Sequence, residues 1–168
     1  MNATIPANSP ELQASSEDIS GESFDIVRKH IYWSVGVGVV PIPVVDVLGL
    51  TAVQLNMLRK LCDYYKQPFK ENIGRSIIGT LAGTSSTMVF GSFGKSILKG
   101  IPFVGPLLGF SAMSAMSGAS TYALGKLFIH HFESGGNLLT FDTEKAKKAF
   151  AVEVEKGKKV VEGIVNKK

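Results

Sequence analysis

The residues whose chemistry could be put to work are few and lie far apart along the chain. Gly94-Lys95-Ser96 has the ending of a phosphate-binding loop, but the full pattern needs a glycine five residues before Gly94, and Val89 stands there. Without that glycine the backbone cannot wrap phosphates in the usual way, so the tripeptide reads as a polar helix end with Lys95 and Lys99 near the negative pole of the helix dipole. His130-His131 with Glu133 contains metal-ligand types, yet adjacent histidines on a helix point about 100° apart and cannot easily grip one ion. They fit a solvated or headgroup-level helix end. Cys62 is the single cysteine, which excludes an intramolecular disulfide and a zinc spacing, and it reads as a small buried apolar residue. Asp46 is the one charge between Lys29 and Arg59. Just after Pro43 it suits the positive pole of a helix N-terminus, and the alternative is an intramembrane or interfacial contact residue. No Ser-His-Asp set, catalytic carboxylate pair or Cys-His pair can be assembled, so neither an enzyme nor a cofactor is expected.

The elements that would position these residues are helical. Residues 1–22 are rich in Ala, Ser, Asn and Pro, hold Glu11, Glu17, Asp18 and Glu22 without a Lys or Arg, and have too little apolar surface to offset ordering entropy, which predicts a disordered acidic tail. Phe24, Val27, Ile31 and Val35 then recur at helical spacing, predicting a first helix from about Ser23 to Val40. Pro41 breaks it and Pro43 can open the next, which is expected to run to about Lys66 before Pro68. A third helix begins near Lys70, and Pro102, Gly105 and Pro106 mark a break before a fourth that continues to about Phe132. The fold is thus all-α, with about four glycine-rich core helices over 23–135. Ile42 to Val53 weakly echoes Ile101 to Met113, compatible with two repeated hairpins or with chance.

Hydrophobic residues make up 45% of the 168 and charged ones 19%, below the roughly 25% charged share of ordinary soluble domains. Ser76 to Gly94 is a run of 19 uncharged residues and Gly100 to Gly125 one of 26, long enough to approach or exceed a bilayer crossing. Their apolarity is modest. In the first run Ile77, Ile78, Leu81, Val89, Phe90 and Phe93 supply roughly 2 to 4 kcal/mol towards insertion, against eleven Gly, Ser and Thr residues. Close packing would help, and Gly79, Gly83, Thr87 and Gly91 repeat every four residues, as do Ser111, Ala115, Ala119 and Ala123. These stripes predict helix packing or self-association into a homo-oligomer, with a helical hairpin around Lys95 to Pro106. The competing reading is a soluble bundle whose close contacts use Gly and Ala. Tyr32, Trp33, Tyr64 and Tyr65 fit a water–lipid interface or an amphipathic bundle equally well. The first 20 residues lack the pattern of a secretory signal, and basic residues from Arg59 to Arg75 are expected on the cytoplasmic side, which places the protein at the cytoplasmic membrane with its bulk in the cytoplasm.

The segment 143–168 is a basic amphipathic helix. Phe150, Val154 and Val161 share an apolar face, Lys148 and Lys158 lie beside or opposite it, and eight lysines stand against four acidic residues. Such a helix is expected to dock detachably on anionic lipid or a partner, or else to pack its stripe on the core.

Val40-Pro41-Ile42-Pro43-Val44-Val45-Asp46-Val47-Leu48-Gly49-Leu50, continuing through Gln54 to Leu58, Leu61 and Tyr64-Tyr65, resembles the YcjF-like family, domain of unknown function 697. Ile101 to Gly105 and Thr121 to Gly125 resemble its second block, so the likeness spans about Ile26 to Phe132. The resemblance implies a bacterial helical domain, often described as a membrane protein and often fused or adjacent to small GTPase-like proteins, without an established activity. This chain carries no GTPase domain, so such a partner would act in trans. Three functions are compatible: a membrane-associated accessory or scaffold protein, a pore-like or transport element of oligomerised hairpins, and a soluble self-assembling helical protein. Membrane lipid is the expected partner and nucleic acid is not.

Overall fold

The apolar period of the first segment folds as it reads. In the computed structural model, which describes residues 21–37, 43–93 and 105–165, Phe24, Val27, Ile31 and Ser34 are buried along one side of helix α1, Glu22–Val37. The tail expected over 1–22 lies outside the described residues up to position 20, as does Pro41. Helix α2, Pro43–Tyr64, opens on the proline, whose missing N–H is no loss at a first helical position, and carries Asp46 in its first turn. It buries Gln54, Leu55, Met57, Leu58, Leu61 and Cys62. It stops two residues before the expected Lys66 because that residue enters the left-handed region with φ 55°. Gln67 N–H then reaches the Cys62 carbonyl at 2.8 Å and Lys66 N–H the Asp63 carbonyl at 3.3 Å, satisfying the last turn.

Helix α3, Glu71–Phe93, is tied to α2 through Glu71, which accepts from Arg75 at 2.8 Å and lies 3.8 Å from Arg59. Ile77, Ile78 and Leu81 are its buried face. Helix α4, Gly105–Glu133, is the hub of the molecule and touches each of the other four. It ends in the same way as α2, with Gly135 at φ 80° while Gly135 and Gly136 donate to the carbonyls of Phe132 and His131. Helix α5, Thr143–Val165, is capped by Asp142, whose carboxylate accepts from Lys145 N–H at 3.1 Å. That bond, followed by Lys145's ammonium, holds the Asp142 carboxyl below the usual carboxylate range.

All described elements are helices, and the class is all-α. Two expectations change. No helix among the described residues is both long and apolar enough to cross a membrane. Length is not the obstacle, because α3 and α4 have 23 and 29 residues, roughly 35 and 44 Å of helix. Apolarity is, because Gly, Ser and Thr occupy so many positions. The pairing of α3 with α4 as a hairpin is also not the main contact: α4 packs mostly on α5 and α1, and α3 on α2 and α5. The link between α3 and α4 lies outside the described residues, with Pro102 in it, while Gly105 is the first residue of α4.

Candidate functional site

The centre of the bundle is polar where α1, α2 and α4 meet. Ser34, Gln54, Ser120 and Thr121 are all buried, and their hydrogen bonds form one chain with a defined sense. The Ser34 hydroxyl donates to the His30 carbonyl at 2.8 Å, which leaves its oxygen to accept from Thr121 at 2.7 Å. Gln54 Nε2 donates to Ser120 Oγ at 3.0 Å and Thr121 Oγ1 at 3.2 Å, and Ser120 passes its proton to the Ser117 carbonyl at 3.0 Å. Every hydroxyl proton has one destination. The network therefore specifies how three helices meet, and it presents no nucleophile beside a base. His30 borders it, with its ring 2.7 Å from the Ile26 carbonyl. Burial lowers the His30 pKa, opposed by the Ile26 bond and reinforced by Lys60's charge, so the ring is neutral at pH 7 and Nδ1–H donates to that carbonyl.

Beside this network the helices approach through glycine. A Cβ on Gly125 would fall 2.5 Å from the Val27 methyls, and one on Gly118 would fall 2.8 Å from both Val35 and Val161. Gly118, Thr121 and Gly125 thus make the seam on which α1 lies. In the stripe expected from the sequence, Ala119 and Ala123 are buried and Ala115 is half-buried, and Ala119 faces α5, where a Cβ on Gly157 would fall 2.8 Å from its carbonyl oxygen. Ser111 and Thr87, like Gly91, lie in helices whose side-chain surroundings there are outside the described detail. Gly79 and Gly83 sit on the outer face of α3, and a Cβ on either would meet nothing within 4 Å.

The apolar stripe of α5 is occupied. Phe150, Val154 and Val161 are buried against the bundle, and α4 is its main neighbour, so these side chains form core and offer no free docking face. The physical reason is the shape match at Gly157 and Gly118, which seats α5 at backbone distance. Lys148 remains outward and Lys158 is partly exposed, with its ammonium on Glu155 at 2.6 Å.

The remaining candidates have structural roles. His131 Nε2 donates to the Asn137 carbonyl at 2.9 Å and its ring packs edge-on to Phe141, fastening the α4–α5 turn. No group of three or more metal-ligating side chains comes together among the described residues. Gly94 to Ser96 lies outside them. Cys62 is fully buried, and burial followed by the charge of Asp63 pushes its thiol up to about 11, which keeps it protonated at neutral pH. Tyr65 donates to Glu133 at 3.0 Å, and burial raises its hydroxyl to about 12. The buried network and the Gly118–Gly125 seam went unread in the sequence. The only available signals were a Gln inside an apolar helix face and glycines seven residues apart.

An all-α bundle with a polar three-helix junction is the class of molecule the geometry of the described residues defines. The chain belongs to the family called domain of unknown function, DUF697, whose sequence profile matches residues 25–159. It is 31% identical over 157 residues to magnetosome membrane protein 22 of Magnetospirillum gryphiswaldense, covering 90% of this chain and 80% of that protein. No solved structure matches. The YcjF-like resemblance agrees with this membership, and no catalytic family is indicated.

Proposed function

We propose that this protein is a membrane-associated accessory protein that holds to the lipid surface without crossing it. The likeness of nearly the whole chain to a magnetosome membrane protein carries the reading, since a shared fold of 90% of this chain extends to whatever surface meets the membrane. The absence of a sufficiently apolar helix among the described residues favours a surface position over a span. On this reading the bulk lies on the cytoplasmic side of the membrane, and the helical bundle serves as a platform for a protein partner. A small GTPase-like protein acting in trans is the partner that family resemblance favours. The outer face of α3, made flat by Ser76, Gly79, Ala82 and Gly83, supports self-association as the second part of the reading, because small residues let helix backbones approach.

The test is co-flotation of the purified full chain with vesicles of phosphatidylcholine mixed with phosphatidylglycerol. The protein is expected to float with the vesicles. A chain that stays at the bottom of the gradient at every lipid concentration would defeat the membrane reading.

A further inference from the structure

Once α5 has committed its apolar stripe to α4, two of the large apolar side chains exposed among the described residues are neighbours. Tyr32 and Trp33 on α1 are 56% and 69% exposed. Neither makes a ring contact with another aromatic among the described residues. Residues 22, 25, 28, 29, 32, 33 and 36 fall within one arc of about 140° on a helix, opposite the buried Phe24, Val27 and Ile31, with the acidic Glu22 and Asp25 confined to the first turn and the cations nearer the rings. Arg28 stands one turn before Tyr32 and Lys29 one turn before Trp33, both exposed, so a basic residue precedes each ring on the same face. Arg28 also bonds Asp25 at 2.8 Å in the first turn, while Lys29 has no ion-pair partner among the described residues. Gly36 completes the arc, and a Cβ there would meet nothing within 4 Å. On α2, Lys60 is exposed and lies near enough for its charge to act on His30, which adds a further cation at the side of α1.

We infer that this aromatic and basic face of α1 is the surface by which the protein lies on anionic lipid. The inference rests on the membrane-associated reading above and names its contact surface. Indole and phenol rings have an apolar body and a polar edge, and they settle at the headgroup level. Lys and Arg beside them meet phosphate charge there, with each cation near the surface strengthening binding about fivefold. A face of two isolated rings flanked by cations, with no apolar pocket around them, matches the layered chemistry of a bilayer interface. A protein hot spot is instead a well-packed, desolvated pocket surrounded by contacts that keep water out of it.

Trp33 is the single tryptophan of the chain, so its emission reports on this face alone. The full chain is titrated with vesicles of phosphatidylcholine alone and of phosphatidylcholine mixed with phosphatidylglycerol, with co-flotation measured in parallel. Trp33 emission is expected to shift to the blue and to resist an aqueous quencher on the anionic vesicles, with salt reversing both changes. Lys29→Gln should weaken binding about fivefold and Lys29→Glu by more, whereas Val152→Ser on the exposed side of α5 should leave it unchanged. Co-flotation with no change in Trp33 emission would overturn the assignment of this face and leave the membrane reading standing. Failure to float would defeat both. A blue shift without vesicles that grows with protein concentration would give the face to a second copy of the chain and overturn the inference.

Discussion

At the scale of single residues, Gln54 carries the most information about how the bundle is specified. Its amide reaches two hydroxyls on α4, more than sixty residues away, inside a region that excludes water. Gln54→Leu would leave Ser120 and Thr121 oxygens without their donor and should destabilise the fold by about 1 to 3 kcal/mol in chemical denaturation. A double variant with Thr121→Val should cost less than the sum of the two singles, because both act on one network. His30 gives a pH dependence whose sign follows from its lowered pKa. The unfolded chain then takes up the proton more readily than the folded one, so stability is full above about pH 6.5 and falls as pH drops from there towards the folded pKa. Thermal melts at pH 7 and pH 5 should therefore show a loss in the native chain that is reduced in His30→Gln. Equal losses in the two proteins would remove His30 from this role. None of this was legible in the sequence beyond the presence of a polar residue on an apolar face, since nothing local links position 54 to positions 120 and 121.

At the scale of helices, periodicity and the proline breaks predicted where each described element starts to within about one residue, because apolar spacing, Pro43 and the turn glycines act locally. Partners were another matter. Small residues at four-residue spacing show that a face permits close approach without showing what approaches it. Gly118 and Gly125 accept α1, Ala119 accepts α5 at Gly157, and Gly79 faces outward. The lysine-rich α5 likewise revealed an apolar stripe but not its destination. The consequences can be separated by substitution. Gly157→Ala would push a methyl into the Ala119 backbone and should cost about 1 to 3 kcal/mol, measured as a shift in denaturation midpoint. Gly79→Ala enters open space in a helix interior and should stabilise the monomer by about 0.5 to 1 kcal/mol. If the α3 face joins two copies, Gly79→Leu should abolish the association seen by sedimentation while leaving helix content unchanged. Association that survives this change would assign the contact to another surface.

At the scale of the whole molecule, the sequence showed an all-helical, charge-poor protein and overstated what charge-poor segments do. Ser76 to Gly94 and Gly100 to Gly125 are long enough for a bilayer, but among the described residues the hydroxyls of the second run serve a protein interior, with Ser114, Ser117, Ser120 and Thr121 of α4 all buried within the bundle, while Ser76, Gly79 and Gly83 of the first lie on its outside. Uncharged length and apolar content are separate quantities, and only the second drives insertion. On the proposed reading, the protein meets a membrane with its outside, through exposed aromatic and basic side chains. Fractionation of cells expressing the full chain, followed by an alkaline carbonate wash of the membrane pellet, separates the two modes of attachment most directly. The chain is expected to sediment with membranes and to be released into the supernatant by carbonate. Retention in the washed pellet, with aggregation excluded by flotation of that pellet with lipid, would contradict a surface position and show that the chain is embedded in the bilayer.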